Sequence, residues 1–227
     1  DGSGNEVLYN GLNGKQMKDS EPFFNVFEKT PLFLVGLFIL IHISTLLTSI
    51  PMDHGVLKPL YQTDMEVKSH IFRLFFHGFL HANWGHLAIN SGFIIVFGTA
   101  ISQRNSLILK HNYNVLSVSV FFWIIFLSGV ISGGISQWIW WYFTDSYYYS
   151  TGAIGASAGA AALFSSGALF LGGKKKVYEY GLAWTVLNCV IGLIDNFLYL
   201  NIAWPAHIGG YWAGAIIIVY IQKKTDI

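Results

Sequence analysis

Long apolar runs, separated by short polar segments, dominate the chain from about residue 31 onward. A helix that crosses a bilayer needs roughly 20 mostly apolar residues, and six runs reach or approach that length. They are Pro31–Ile50, His86–Ser102, Val115–Ile131, Ile154–Gly172, Val177–Leu200 and Pro205–Gln222. The pattern predicts an all-α integral membrane protein built as a bundle of six transmembrane helices.

Two segments between these runs have a different character. Ser132–Tyr149 is rich in Gly, Trp and Tyr, and we predict interfacial structure there rather than more helix, because Trp and Tyr favour the headgroup level. Gly129, Gly133 and Gly134 are expected to mark a helix end or a close contact. Pro51–Gly85 is too apolar for a solvated linker and too charged for a seventh span, so it is predicted to be an interfacial loop between helices 1 and 2.

The composition agrees with a membrane protein and excludes several other classes. Hydrophobic residues make up 53% of the chain and charged residues 11%, whereas a soluble domain carries about 25% charged residues. A net charge of +1 gives no reason to expect nucleic acid, and a single cysteine excludes an internal disulfide. We expect a polar leader at 1–30, a membrane domain at 31–222 and a short tail at 223–227.

The basic residues predict the orientation, because Lys and Arg accumulate in cytoplasmic loops. Ten fall on the side of the two termini, whereas three fall in the loop between the first two spans. The first group is Lys15, Lys18, Lys29, Arg104, Lys110, Lys174, Lys175, Lys176, Lys223 and Lys224, and the second is Lys58, Lys68 and Arg73. Both termini are therefore predicted to be cytoplasmic, with Pro51–Gly85 on the opposite side.

Three polar side chains are predicted to lie at one depth in the membrane. Ser157, His86 and His207 each precede the basic cytoplasmic end of their span by about 16–18 residues. At ~1.5 Å per residue this is about 24–27 Å, a little less than the hydrocarbon thickness. Asn90 follows His86 by one helical turn and shares its face. All four are expected just below the non-cytoplasmic surface.

These residue types suit hydrolysis by a serine nucleophile. The hydroxyl of Ser157 needs a base, and His207 is the candidate. Free N–H groups at a helix start, together with His86 and Asn90, could bind an oxyanion. Asp195 is too peripheral to join them, so we expect a Ser-His dyad rather than a triad. The backbone at this depth would have to line a water-filled cavity, which hydrolysis also requires.

Small residues explain how two spans could bring serine and histidine together. Gly210 and Gly214 form a Gly-x-x-x-Gly face, which permits close approach of helices in membranes. We expect it to pack on a matching face formed by Gly155 and Gly159. Asn188, in the fifth span, is expected to be a packing residue.

The combined pattern resembles the rhomboid family of intramembrane serine proteases. That family has an aromatic–Arg pair, His-x4-His-x3-Asn, Gly-x-Ser and Ala-His-x-x-Gly-x-x-x-Gly, in this order. This chain has Phe72-Arg73, His81-x4-His86-x3-Asn90, Gly155-Ala156-Ser157, and Ala206-His207-Ile208-Gly209-Gly210 through Gly214. The resemblance covers about residues 31–222. The chain differs by Ala158, where the family usually has glycine, and by Phe72 in place of tryptophan.

The resemblance implies a rhomboid-like bundle with a defined set of roles. Ser157 would be the nucleophile and His207 the general base, and His86, Asn90 and the Ser157 N–H would form the oxyanion hole. Substrates would be single-span membrane proteins, cut near the outer surface. Neither a cofactor nor a metal is expected. A plain six-span core favours a bacterial inner membrane.

Three alternatives remain at this point. A catalytically silent relative would bind membrane-spanning clients without cutting them, and Ala158 keeps this possible. A small transporter or channel would need polar residues through to the cytoplasmic side, whereas the inner halves of the spans are almost wholly apolar. A metalloprotease is disfavoured, because His77 and His81 lack the Glu of a His-Glu-x-x-His motif. The oligomeric state is not predicted.

Overall fold

The computed structural model describes residues 29–60, 67–109, 115–144, 152–198 and 201–225. Nearly all of them are helical. The elements are α1 (Lys29–Leu47), α2 (Ile50–Gly55), α3 (Val67–Phe76), a single 3-10 turn (His77–Phe79), α4 (Trp84–Leu109), α5 (Val115–Thr144), α6 (Ser157–Leu198) and α7 (Trp204–Thr225). The predicted leader at 1–30 falls almost entirely outside these residues.

Among the residues that the structure describes, five helices are long and apolar enough to cross a membrane, namely α1, α4, α5, α6 and α7. Large apolar side chains cover their outer faces, as with Leu40 on α1 and Phe197 on α6, which are 67% and 80% exposed. Such a surface suits lipid better than water. The prediction of an all-α protein with several apolar helices of spanning length is confirmed, whereas the count of six spans and the interfacial loop stay predictions.

Helix α6 is interrupted and reverses direction in its middle. Gly172 and Gly173 have non-helical backbone angles, and Gly173 has a φ of 69°, which favours glycine. In a straight helix Phe164 and Trp184 would be about 30 Å apart at ~1.5 Å per residue, yet their ring centroids are 5.6 Å apart. Helix α6 therefore consists of two antiparallel parts, here called the first segment (157–171) and the second segment (174–198).

Helix α7 runs parallel to the first segment of α6, and the two backbones are in contact. A Cβ built on Gly210 would lie 2.8 Å from the Ala158 Cα, and one on Gly214 would lie 2.7 Å from the Ala162 Cα. Residue numbers increase together at these two contacts, four residues apart on both helices. The Gly-x-x-x-Gly face thus brings α7 against the first segment.

Helix α4 also runs parallel to the first segment. At one end the His86 ring lies against Gly155, and further along Phe97 lies against Gly167. Helices α4, α7 and the first segment of α6 therefore begin at the same end of the bundle.

Helix α5 runs antiparallel to these three. Its Gly129 lies against Ala162, and its Gly133 lies against Ala158. These glycines, with Gly134, are inside α5, so they mark close contacts and not the helix end. The expectation of a close contact is confirmed.

Two further elements run antiparallel to their neighbours. In α1, His42 packs on Trp84 at the start of α4, with ring centroids 4.6 Å apart. The second segment of α6 runs against α7, since the Tyr211 hydroxyl donates to the Val177 carbonyl 2.9 Å away. Consecutive long elements therefore alternate in direction along the whole bundle.

The prediction of interfacial, non-helical structure at Ser132–Tyr149 is wrong for residues 132–144, because α5 continues to Thr144. The rest of the predicted segment lies outside the described residues. At least two of the tryptophans here contact other parts of the protein. The Trp138 indole N–H donates to the Lys58 carbonyl at 3.0 Å, and Trp141 is buried. Tryptophan enrichment therefore reflects packing on the segment between α1 and α4.

That segment is organised by a buried arginine. Arg73 on α3 is 2% exposed, and its guanidinium donates to the carbonyls of Asp53 and Val56, each at 2.6 Å. Burial lowers the pKa of Arg73, and the Asp53 carboxylate opposes the shift. A planar guanidinium suits two simultaneous acceptors, so Arg73 ties α3 to the end of α2. The exposed face of α3 is apolar and includes Ile71 and Phe75.

Candidate active site

The three parallel helices each carry a candidate residue near their first turn. His86 is the third residue of α4, Ser157 is the first residue of α6, and His207 is the fourth residue of α7. Because these helices begin at one end of the bundle, the fold brings all three residues to one level. The first turn of each helix also has backbone N–H groups without helical partners.

The loop before Ser157 is held by backbone hydrogen bonds to distant elements. Leu57 and Ala153 exchange two of them, at 3.0 and 2.9 Å. The N–H of Gly155 donates to the carbonyl of His77, also at 3.0 Å. This loop links the serine to the Arg73-organised segment, and it fixes the point at which helix α6 begins.

Gly155, the glycine of Gly-x-Ser, is required for two reasons. Its φ of 126° lies in the region that only glycine adopts without strain. In addition, a Cβ at this position would lie 2.7 Å from the Nε2 and Cε1 atoms of His86 and 3.7 Å from Nδ2 of Asn90. The His86 ring and the Asn90 amide therefore lie directly beside the backbone that enters Ser157.

The hydrogen bonds of His86 favour one tautomer. Its Nδ1 accepts a long bond, 3.4 Å, from the N–H of Ala82, which leaves the proton of a neutral ring on Nε2. The Asn83 side chain accepts from the His86 backbone N–H at 2.9 Å, and Asn90 Nδ2 donates to the His86 carbonyl at 3.1 Å. The donor on Nε2 is then the atom that faces the loop before Ser157.

The crossing of α6 and α7 places His207 and Ser157 at the same end of one helix contact. Ser157 directly precedes Ala158, and His207 lies one turn before Gly210, so both lie on the same side of the Ala158–Gly210 contact. The Nδ1 atom of His207 is 2.9 Å from the Oδ1 atom of Asn188.

The packing face predicted for Gly155 and Gly159 is wrong. Gly210 and Gly214 meet Ala158 and Ala162 instead. Gly155 precedes the helix and faces His86, whereas Gly159 faces α5, where a Cβ would lie 2.5 Å from the Phe126 ring. Alanine at positions 158 and 162 is small enough for the close approach of α7. Gly155 is needed against α4, and Gly159 is needed against α5.

Ala158, the departure from the family pattern, has a specific place for its methyl group. The residue is 2% exposed, and a Cβ built on Gly133 of α5 would lie 2.5 Å from the Ala158 Cβ. The extra methyl therefore occupies the space above Gly133. It does not push α7 away, because α7 meets the Ala158 backbone through Gly210.

Sequence reasoning missed one residue at this site. Asn188 is fully buried and hydrogen-bonds His207, although it was expected only to pack. A polar amide in an apolar span was the available signal. Asp195 does not reach the histidine; its carboxylate accepts from the Ile202 N–H at 3.2 Å, just before α7.

Two further histidines, His77 and His81, are buried between α3 and α4. Burial lowers the pKa of His77 to about 4, opposed by its bonds to the carbonyls of Arg73 and Leu74. Burial also lowers the pKa of His81 to about 4, and the neighbouring His86 and His42 lower it further. Both rings are neutral at pH 7. In the portion of the chain that the structure covers, no cluster of three His, Cys, Asp or Glu side chains could hold a metal.

Comparison with known protein families shows to which family this chain belongs. The Rhomboid domain matches residues 68–224, more than half of the chain. The chain belongs to the rhomboid family. The matched range contains every candidate site residue of the rhomboid pattern, from Arg73 to Gly214, whereas α1 and α2 precede it. No curated protein matches the chain.

The fit between Ala158 and Gly133 gives a stability prediction. In Gly133→Ala two methyl groups would compete for one space, and the new one would also lie 2.8 Å from the Ala206 carbonyl oxygen. Overpacking of this kind costs about 1–3 kcal/mol. We expect a lower thermal midpoint in detergent, with partial recovery in the double variant Gly133→Ala/Ala158→Gly.

Gly36→Ala is the matched control, because a Cβ there meets nothing within 4 Å. Its thermal midpoint should stay close to that of the unmodified protein. If Gly133→Ala were as stable as this control, the methyl of Ala158 would not occupy the space described.

Proposed function

We propose that this rhomboid protein is an intramembrane serine endopeptidase that uses Ser157 as nucleophile and His207 as general base. The observation that carries the proposal is the meeting of three parallel helix starts, which bring a hydroxyl, two imidazoles and an amide to one end of a largely apolar bundle. Structural packing alone does not call for four such polar groups in one place.

The proposed reaction follows from the chemistry of these groups. The Ser157 Oγ attacks the carbonyl carbon of the scissile peptide bond, and its proton passes to Nε2 of His207. Oxyanion stabilisation comes from the free N–H groups of the first turn of α6, from Nε2–H of His86 and from the Asn90 amide. His207 then gives its proton to the leaving amine. A water molecule, activated by the same base, hydrolyses the acyl-enzyme and restores the serine.

The substrate class follows from the location of the site. Membrane-spanning segments reach the site from within the bilayer, so single-span membrane proteins are the proposed substrates. In a helix each peptide carbonyl is bonded to an N–H four residues later and is shielded from attack. Segments that unwind easily, with small or helix-breaking residues near the membrane surface, should therefore be cut best.

A catalytically silent relative is less well supported. That alternative rested on Ala158, whose extra methyl would have to disturb the start of α6. The space above Gly133 accommodates the methyl, and the nucleophile and the base are both present.

We also propose six membrane crossings, with the termini in the cytoplasm. The two antiparallel segments of α6 support six crossings, since each is largely apolar and Lys174–Lys176 lie where the two segments meet. The excess of basic residues on that side supports the orientation. The apolar exposed face of α3 suits the membrane interface on the opposite side. Residence in a bacterial inner membrane remains a prediction.

A fluorophosphonate probe tests the proposed nucleophile. The protein in detergent should be labelled on Ser157, and Ser157→Ala should abolish labelling. Ser166→Ala is the matched control, because Ser166 is a buried serine on the same segment whose hydroxyl only bonds the Ala162 carbonyl. Cleavage of a reporter transmembrane segment should fall by at least 10²-fold in His207→Ala, as for loss of a general base.

Equal labelling of the unmodified protein and Ser157→Ala would refute the serine assignment. Absence of labelling in the folded, unmodified protein would favour the silent relative. Full cleavage by His207→Ala would mean that another group acts as base.

Cysteine accessibility tests the crossings. In a Cys189→Ser background, single cysteines at His54, Lys175 and Leu198 would be exposed to a membrane-impermeant maleimide in intact cells and after permeabilisation. We expect labelling of 54 and 198 in intact cells, and of 175 only after permeabilisation. Labelling of 175 and 198 from one side would contradict two crossings in α6.

A further inference from the structure

Asn188 is a buried amide that makes two hydrogen bonds and has a fixed orientation. It lies on the second segment of α6 with no exposed surface. Its Nδ2 donates to the carbonyl of Trp184 at 2.9 Å, and its Oδ1 lies 2.9 Å from Nδ1 of His207. The opposite amide orientation would turn the side-chain oxygen toward the Trp184 carbonyl, and two acceptors would then repel each other. The oxygen of Asn188 therefore faces the histidine.

This orientation decides which nitrogen of His207 carries the proton. An amide oxygen can only accept, so Nδ1 of His207 must donate to it. In the neutral ring the lone pair is then on Nε2, as a general base requires. The same segment also binds the histidine backbone, because the Trp184 indole N–H donates to the His207 carbonyl at 3.1 Å.

We propose that Asn188 is the positioning residue for His207, resting on the proposed role of His207 as base. Asn188 would fix the Nδ1–H tautomer, orient the ring toward Ser157, and accept a hydrogen bond from the imidazolium that forms when the serine proton is taken up. The site would then be a Ser-His-Asn arrangement rather than a bare dyad.

No carboxylate near the histidine takes this role within the described residues of α6. The Asp195 carboxylate accepts a hydrogen bond from the Ile202 N–H, and Glu179 pairs with Lys176 at the far end of the second segment. An amide does not acquire the proton and adds no charge to the apolar interior. A buried carboxylate would need to be desolvated, which is costly in such surroundings.

The test compares two replacements at position 188. Asn188→Leu has nearly the same size but cannot accept a hydrogen bond, and kcat for a reporter segment should fall about 10- to 100-fold with little change in KM, as for loss of a bond to a charged group. Asn188→Asp, with a protonated carboxyl that can accept from His207 and donate to Trp184, should recover part of the rate. The fluorophosphonate reaction should slow in parallel.

Thr185→Val is the matched control. The Thr185 hydroxyl accepts from the Trp212 indole N–H at 3.0 Å, so the substitution removes a bond between the same segment and α7 without touching His207. Its kcat should stay near that of the unmodified protein. A kcat loss in Thr185→Val as large as in Asn188→Leu would make the effect structural and overturn the proposal.

A measurement of the tautomer does not depend on activity. With ¹⁵N-labelled histidine, the NMR signals of His207 are those that disappear in His207→Ala. They should report a proton on Nδ1 in the unmodified protein, and a shift toward the Nε2–H form in Asn188→Leu. An Nε2–H ring in the unmodified protein, or unchanged signals in the variant, would overturn the positioning role. If the tautomer behaves as expected but no cleavage or labelling occurs, the proposed protease function fails on its own.

Discussion

The close contact between α7 and the first segment of α6 is the constraint on which the rest of the site depends. Gly210 and Gly214 have no side chains, so α7 rests on the backbone at Ala158 and Ala162. In lipid, where apolar surface gains little from burial, such contact-driven packing is a main source of helix association. Ser157 and His207 each lie at most one turn from this contact, so their separation follows from it.

Much of the fold follows from patterns that act locally. Apolar runs of spanning length, and polar residues at one end of three of them, predict an all-helical membrane bundle with a site at one level. The direction of these three helices also follows from the sequence, because helices that begin at the same side of the membrane run parallel to one another. The motifs in their specific order indicate the rhomboid family, and the family match over residues 68–224 confirms that membership.

Other features depend on contacts that residue type alone does not reveal. Trp138 could equally lie at a headgroup or donate to a carbonyl, and only the tertiary structure distinguishes these. Gly159 suits α5 as well as α7. The same ambiguity hides Asn188, because a buried amide in a span fits packing until its partner is known to be His207. Long-range partners, rather than local propensity, account for each of these errors.

An experimental structure of the protein after reaction with a fluorophosphonate tests the central claim most directly. The account predicts phosphorus bonded to the Ser157 Oγ, and a phosphoryl oxygen within hydrogen-bond distance of His86 Nε2 or Asn90 Nδ2. The His207 ring should lie beside the phosphoryl group, with its Nδ1 atom still hydrogen-bonded to Asn188. An adduct on another side chain, or a Ser157 adduct with His86 and His207 both out of reach, would contradict the account.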